Sequence, residues 1–445
     1  MDEVKPLHPA SLIFTLFLGL LVLVVPRRYA IVPIVVGGIF IPADQRIVIL
    51  TLDWQMFRLL ILFAFTRLLM RGEFAPFKVL PMDYCVFALA VWTIIARTLL
   101  FANPSVTVNV LGRTFESIGI YVCARMFFRT WRDLTSTIQI VLACMIVLAA
   151  FMSLEAATGR NLFAMIGGVP FETVIREGRL RCQGAFAHPI MAGVFGATWF
   201  PLFIAFWWLG QRPLAVIGAA AATVVTFASA SSTPVMALIL SILALASWGI
   251  RWNLRQIRWG TFALGVVLHF AREKPIWHLI SRLNVVGGST GWHRYNVMDA
   301  AIRHWREWVL LGAKTIDHWN IWANDVTNEY VVVGIGGGLL AMCLFIAVIA
   351  YGFQGTGAAA KSRVLSPAQR RLSWCVGAML FSHAASFTSV SYFGQMRTVF
   401  YLQLGIVASL TEIHRRALRR AKLEKHSVRV ASFTLQSEEV LSRAG

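Results

Sequence analysis

The chain has 445 residues, of which 58% are hydrophobic and only 14% are charged, and its mean hydropathy is +0.67. This balance excludes a water-soluble globular domain of this size, because too few polar residues remain to cover its surface. The formal net charge of +20 would suit nucleic acid, but the lysines and arginines stand in short clusters between apolar runs. That pattern is typical of an integral membrane protein and predicts anionic lipid headgroups, not nucleic acid, as the partners of these clusters.

Thirteen apolar runs define the predicted elements in chain order. They lie near 11–25, 29–42, 54–70, 83–101, 107–124, 134–157, 188–209, 213–230, 234–250, 259–271, 329–352, 372–391 and 396–411. Such runs predict membrane helices rather than a β-barrel, since a bilayer core takes about 20 apolar residues per helix. Runs 29–42 and 259–271 are short, so the sequence predicts an all-α integral membrane protein with 12 or 13 transmembrane helices.

The basic clusters predict the orientation of these helices. They lie at 125–132, 251–258, 361–371 and 415–425. All fall on one side if the runs between them cross the membrane, and this side is then cytoplasmic. The chain is therefore divided into a polytopic membrane domain over 1–415 and a basic cytoplasmic tail over 416–445. Loops 158–187 and 272–328 are predicted to lie on the external face.

Two smaller features concern processing and redox chemistry. Run 11–25 has no basic region before it and is followed directly by Arg27 and Arg28, which predicts a retained helix rather than a cleaved signal. Five of the six cysteines lie in or beside apolar runs, and no CxxC pair occurs. The sequence therefore predicts neither a disulfide framework nor a cysteine metal site.

The first candidate site ends loop 158–187. Arg176, Arg179 and Arg181 precede a helix that is predicted to start near Pro189. Guanidinium groups bind phosphate oxygens in a bidentate manner and stay charged at any working pH, so a pyrophosphate headgroup is a natural partner. The alternative is contact with lipid phosphates. For His188, a hydrogen bond at the helix start is more typical than catalysis.

The second candidate lies in loop 272–328. The glycine, serine and threonine run 287–291 leads into a predicted helix, and free backbone N–H groups at a helix start attract anions. One apolar stripe along this helix comprises Tyr295, Met298, Ile302, Trp305 and Val309, and the arginines Arg294, Arg303 and Arg306 lie elsewhere on its surface. Such a helix can lie flat on a membrane and hold Arg294 near a lipid-borne phosphate. The alternative is a purely structural interfacial helix.

Loop 272–328 is also rich in tryptophan and histidine. Its tryptophans are Trp277, Trp292, Trp305, Trp308, Trp319 and Trp322, and its histidines are His278, His293, His304 and His318. Indoles stack on sugar rings, but they also collect at membrane interfaces, and the second explanation covers most of these six. The histidines lack ligand-pair spacing and a carboxylate cluster, so we expect no metal and no other cofactor.

The third candidate is the segment 324–330, where loop 272–328 re-enters the membrane ahead of a glycine-rich helix. Asp325 or Glu329 is expected to cap the helix. Either carboxylate could instead accept a proton from a sugar hydroxyl. Within the apolar runs, Arg113 and Glu116 stand one turn apart and are expected to pair. Ionisable groups are otherwise scarce there, which argues against a transporter.

Four segments together resemble the bacterial O-antigen ligase and O-antigen polymerase superfamily. They are 178–193, the turn 228–234, 294–312, and 327–330 with the glycine-rich helix that follows. The resemblance implies a helical membrane glycosyltransferase at the periplasmic face of the inner membrane. Its donor is a glycan on undecaprenyl pyrophosphate, which Arg294 would bind together with Arg181 or Arg179. Arginines that supply this charge make a metal unnecessary.

Two departures from the family pattern bear on which reaction of the family this chain would catalyse. Thr327 stands where ligases of the family carry a histidine, and the turn 231–234 lacks the arginine that often follows serine. The loss of the histidine favours a polymerase of O-antigen or exopolysaccharide repeat units. The alternatives are a ligase that transfers polymer to lipid A core, using another histidine such as His318 or His293, and a lipid-linked glycan flippase or transporter.

The resemblance and the charges together give the expected site and partners. The expected catalytic residues are Arg294, Glu329 and Asp325, and the expected substrate-binding residues are Arg179, Arg181, His188, Ser231, Ser232 and Asn328. The expected partners are the lipid-linked glycan donor, the glycan acceptor and membrane lipids. Other polysaccharide assembly proteins, such as a chain-length regulator, are further candidates.

Overall fold

The computed structural model describes residues 7–42, 44–49, 52–74, 77–282, 291–322 and 325–444. The α-helices in these ranges are α1 Pro9–Val24, α2 Val32–Phe40, α3 Met56–Met70, α4 Pro81–Phe101, α5 Pro104–Phe127, α6 Trp131–Thr158, α7 Pro189–Trp208, α8 Arg212–Ala228, α9 Ser232–Ala246, α10 Leu254–Phe270, α11 Gly291–Arg303, α12 Trp305–Trp308, α13 Glu329–Lys361, α14 Pro367–Ser386 and α15 Gln395–Ala444. Two antiparallel hairpins pair β1 Arg46–Ile49 with β2 Leu52–Gln55, and β3 Val174–Arg176 with β4 Arg179–Arg181.

Every apolar run of the sequence contains a helix, which confirms the predicted all-α class. Five helices of the described chain are long and apolar enough to cross a membrane: Pro81–Phe101, Trp131–Thr158, Pro189–Trp208, Ser232–Ile250 and Glu329–Lys361. Helices α1 and α8 are apolar but shorter. Helix α2 has only nine residues, about 14 Å at 1.5 Å per residue, and is too short to cross alone. The protein is therefore an all-α membrane protein, while 12 or 13 crossings stay a prediction.

Helix α7 lies at the centre of the helical body. Sixteen of its 20 residues are buried, and they occupy all its faces. It packs against α8, α9 and α14, while α13 packs against α4, α14 and α15. A Cβ on Gly193 would lie 2.3 Å from Ser229 Oγ, so glycine there lets the end of α8 approach the first turns of α7. This contact brings the turn between α8 and α9 next to the start of α7.

The two ends of the helical body differ in charge. At one end, which we call the basic end, Arg125 of α5 forms ion pairs with Asp83 of α4 and Glu412 of α15. Arg251 and Arg371 lie over the ring of Trp248 at the same end, which brings two of the sequence clusters together. The opposite end, which we call the loop end, carries loops 158–187 and 272–328.

Loop 272–328 contains a small core of its own. Val297, Ala300 and Ala301 of α11 are buried in it together with Trp308 and Trp319. The prediction of one continuous helix with a single apolar stripe is wrong, because α11 ends at Arg303 and α12 is a separate turn. Small residues form the buried face of α11, and Ile302 and Trp305 of the predicted stripe are 45% and 50% exposed.

A break in α13 holds this loop against the helical body. Gly337 and Gly338 have non-helical backbone angles, and Gly338 has a positive φ of 74°. The break frees backbone groups for the loop: Leu339 N donates to Val309 O at 2.9 Å, and Ala313 N donates to Ile335 O at 3.0 Å. The glycine-rich run after the third candidate site is thus a docking point for the loop.

Candidate active site

Two arginines from different loops converge on the turn that starts α9. Arg181 Nη2 donates to Ser231 Oγ at 2.7 Å, and Arg294 Nη2 donates to Thr233 Oγ1 at 2.9 Å. The structure therefore joins three segments that are far apart in sequence: the end of loop 158–187, the turn before α9, and α11. These are the segments in which the sequence placed Arg181, Ser231 and Arg294, while Thr233 was not predicted.

The guanidinium groups of Arg181 and Arg294 keep unused hydrogen-bonding capacity. The Nε atom of each is buried and has no hydrogen-bond partner within the described residues. Neither side chain forms an ion pair with a carboxylate in that part of the chain. Burial lowers the pKa of both groups, yet an arginine stays charged near neutral pH. Buried positive charge with free N–H groups is suited to an anionic ligand.

A carboxylate at the end of α6 positions Arg181. Glu155 Oε1 accepts from Gln183 N at 3.1 Å, and Glu155 Oε2 accepts from Gly184 N at 2.9 Å. Cys182 N donates to Ala228 O at 3.0 Å, which ties the same segment to the end of α8. Glu155 is one of the few charged residues within the apolar runs of the sequence. Its position, at a helix end directly before a loop, was the available signal.

Of the three arginines of the first candidate site, Arg176, Arg179 and Arg181, only Arg181 belongs to this cluster. Arg181 is 7% exposed, whereas Arg176 and Arg179 are exposed side chains beside the hairpin turn at Glu177 and Gly178. Both turn residues have positive φ, so the chain reverses there and leaves the neighbouring arginines outside. Arg179 is therefore not brought to the site.

His188 caps α7. Its Nδ1 accepts from Ile190 N at 3.1 Å, as the helix-start interpretation predicts. Burial, together with the charges of Arg181 and Arg176, lowers the pKa of His188 to about 4. The imidazole is therefore neutral near pH 7 and adds no charge to the arginine cluster.

The start of α13 contributes a second polar group. Asn328 is its N-cap and accepts from Val331 N at 3.1 Å, while Glu329 Oε2 accepts from Tyr392 N at 2.7 Å. Thr327 Oγ1 is buried without a hydrogen-bond partner among the described residues. Glu329 is 8% exposed. The side chain of Asp325 is exposed, and the backbone carbonyl oxygen of Asp325 lies 2.8 Å from His293 Nε2.

The segment between α14 and α15 links these two polar groups. Besides the bond of Tyr392 to Glu329, the ring of Phe393 lies 6.0 Å from that of His188. Gln395 Nε2 donates to Ala185 O at 2.6 Å, and Gln395 Oε1 accepts from Ala187 N at 3.2 Å. No sequence pattern indicated this segment, because an isolated glutamine and two aromatic residues form no recognisable motif.

Other residues named from the sequence differ from the prediction in the structure or lie outside its described residues. The prediction that Arg113 pairs with Glu116 is wrong, because Glu116 forms an ion pair with Arg58 of α3. Ser232 is the first residue of α9, between the two side chains that accept from the arginines. Residues 287–290 of the predicted anion-binding turn, and Asn324 of the third candidate, lie outside the described residues.

Two histidines of the large loop meet around Glu307. His304 Nδ1 lies 2.7 Å from Glu307 Oε1, and His318 Nε2 lies 2.8 Å from Glu307 Oε2. Hydrogen bonds from Trp319 and His304 lower the pKa of Glu307 to about 2. Sequence spacing gave no sign of this cluster, because its two histidines lie on opposite sides of a loop.

Comparisons with known proteins do not place the chain in a family. No protein-family model matches the sequence, and no curated protein matches it.

Proposed function

We propose that the protein is a membrane glycosyltransferase that polymerises lipid-linked oligosaccharide repeat units. The observation that carries this proposal is the convergence of Arg181 and Arg294 at the turn before α9, each with a buried Nε that has no partner among the described residues. A diphosphate on a polyprenyl lipid fits such a pair, because it is doubly charged and offers several oxygens. The resemblance of the surrounding segments to O-antigen polymerases and ligases supports the same donor, undecaprenyl pyrophosphate.

The two arginines would act mainly on the leaving group. An acceptor hydroxyl oxygen bonds to the anomeric carbon while the bond from that carbon to the pyrophosphate oxygen breaks. Negative charge develops on the departing pyrophosphate, and two fixed guanidinium groups stabilise it without reorganisation. The hydroxyl proton passes to a carboxylate, for which Glu329 at the start of α13 is the buried candidate and Asp325 the exposed one.

The proposal includes a location and an orientation. We place the chain in the bacterial inner membrane, with the loop end on the periplasmic side and the basic end in the cytoplasm. The basic clusters support this orientation through the positive-inside rule. Thr327, in place of the ligase histidine, favours joining repeat units over transfer to lipid A core.

The arginine pair gives a direct test. Arg181→Ala and Arg294→Ala are expected to lower the rate of polymer formation by about a hundredfold or more, since each removes a charge that stabilises the leaving group. The measurement is the glycan profile of a deletion strain complemented with each variant, with membrane levels of the protein compared by blotting. Arg179→Ala is the matched control, because this arginine stands on the same hairpin and stays exposed.

The glycan profile also separates this function from its alternatives. A polymerase deletion leaves single repeat units, and both arginine variants should do the same. Long polymer that is made but not attached to its final acceptor would point to a ligase. Polymer of normal length and amount in both variants at normal protein level would overturn the proposal.

A further inference from the structure

A cavity of about 300 Å³ lies at the loop end, away from the turn that binds Arg181 and Arg294. Its walls come from α4, α5, α13 and α15, and residues Ile316 and Val326 of loop 272–328 also line it. Neither Arg181 nor Arg294 is among its lining residues. The volume lies at the lower end of the range of ligand-binding pockets and fits a small group such as a monosaccharide or a phosphate.

The charge of this cavity is unbalanced. Among the described residues, Arg97, Arg113 and Arg397 line it, against the single carboxylate of Glu329. Arg97 and Arg397 both lie within electrostatic range of Arg113. The nearby carboxylate of Glu116 compensates only in part, because it pairs with Arg58. Three like charges around one cavity repel each other, so a bound anion would stabilise the arrangement.

The arginines also have free donors. Within the described residues, Arg97 and Arg113 form neither a side-chain hydrogen bond nor an ion pair, and the Arg97 guanidinium only lies 4.8 Å from the ring centre of Phe101. Arg397 uses one nitrogen, donating to Tyr392 O at 3.2 Å. Most of the fifteen N–H groups that three guanidiniums offer are therefore available for oxygen acceptors.

We propose that Arg97, Arg113 and Arg397 form a second anion-binding site, which takes a phosphate or carboxylate group of a ligand other than the one bound by Arg181 and Arg294. The hydroxyls of Thr93, Thr114 and Ser117 also line the cavity and suit the hydroxyls of an attached sugar. Assigning the anion to the glycan acceptor rests on the proposed function. The binding of an anion itself does not.

Titration calorimetry of the purified protein with inorganic pyrophosphate at low ionic strength tests the site. Wild-type protein should bind at two sites. The double variant with Arg97→Gln and Arg113→Gln should bind pyrophosphate about tenfold or more weakly at one site, as expected for lost charged hydrogen bonds. Its affinity at the other site should be unchanged. Arg181→Gln with Arg294→Gln should show the converse. The control is Arg160→Gln, an exposed arginine that also lies over a phenylalanine ring.

Thermal melting guards against a simple folding defect. Without anion, Arg113→Gln should melt at the same temperature as wild type or at a higher one, because the substitution removes repulsion between arginines. Adding pyrophosphate should raise its melting temperature by less than it raises that of wild type. Arg113→Lys should restore part of that gain. The proposal would be overturned if the Arg97 and Arg113 substitutions left both pyrophosphate affinities unchanged. It would also be overturned if Arg113→Gln lowered the melting temperature while pyrophosphate stabilised the variant as much as wild type.

Two further arms identify the source of the anion. In nanodiscs, competition by phosphatidylglycerol but not phosphatidylcholine at the Arg97 and Arg113 site would assign the anion to a lipid headgroup and remove the acceptor assignment. In a transfer assay, a raised KM for acceptor with an unchanged KM for donor would support that assignment. If Arg181→Ala and Arg294→Ala leave the glycan profile normal while the cavity still binds pyrophosphate, the proposed function fails and the second anion site stands.

Discussion

At the scale of single residues, burial decides which of several similar side chains can serve the site. Arg176, Arg179 and Arg181 are chemically equivalent in the sequence, yet only Arg181 is buried and reaches Ser231. Burial and the charges of two arginines also keep the imidazole of His188 neutral. The positive charge of the candidate site therefore comes from its arginines.

The lowered pKa of His188 predicts a specific dependence of stability on pH. Its folded pKa of about 4 lies below the usual value of 6.5, so the unfolded chain binds a proton first as the pH falls. Stability should therefore decrease from about pH 6.5 down to about pH 4, by on the order of 2 kcal/mol from this residue. His188→Asn keeps a good helix cap without a titrating group.

The measurement is the melting temperature in detergent at pH 7 and at pH 5. Wild type should lose more stability between these values than His188→Asn does. An equal loss in both proteins would show that His188 does not titrate in this way.

At the scale of elements, α13 determines where the large loop sits. The break at Gly337 and Gly338 lets the backbone of residues 309–313 approach the helix directly. A Cβ on Gly338 would lie 2.1 Å from Leu310 O, and its φ is positive, so another residue there is both strained and obstructed. Since α11 and Arg294 belong to this loop, the break also positions the site.

Gly338→Ala is therefore expected to detach the loop. The strain alone costs roughly 1–3 kcal/mol, so limited proteolysis should cut loop 272–328 faster and polymer formation should fall. Gly336→Ala is the matched control in the same helix, because nothing lies within 4 Å of a Cβ at that position. Equal proteolysis of the two variants would contradict a docking role for the break.

At the scale of the whole molecule, the buried ion-pair network of Arg125 and the arginines of the proposed sites occupy opposite ends. The buried guanidinium of Arg125 joins Asp83 and Glu412 at the basic end, linking three helices. Within the described residues, the loop-end arginines Arg97, Arg113, Arg181 and Arg294 form no ion pair with a carboxylate. This separation lets the basic end fix the helices while the loop end keeps charges free for ligands.

Arg125→Ala should therefore destabilise the protein without a specific catalytic defect. It leaves the buried carboxylate of Asp83 without an ion-pair partner and leaves Glu412 with Arg416 alone, which costs roughly 3–5 kcal/mol. The expected result is a lower melting temperature and a lower yield of folded protein. Arg132→Ala, an exposed neighbour in the same cluster, should change neither, and an equal effect of both substitutions would contradict this role.

The sequence by itself determined the class of the protein and the position of its helices. Hydrophobicity is a property of consecutive residues, so each apolar run from 11–25 to 396–411 could be placed before any contact was known. The sequence also determined that its unusual polar segments lie at 176–188, 228–234, 294–312 and 324–330. Charged and turn-forming residues are rare in such an apolar chain, because placing them in a membrane costs free energy, so their positions stand out in the sequence.

The tertiary structure decided which of these residues meet. The pairing of Arg294 with Thr233, the pairing of Glu116 with Arg58, and the cavity around Arg113 each join helices that are far apart along the chain. Periodicity within one helix carries no information about the partner on another. Contacts between helices depend on how whole surfaces pack, and the burial that follows selects Arg181 over Arg179 as the arginine of the site.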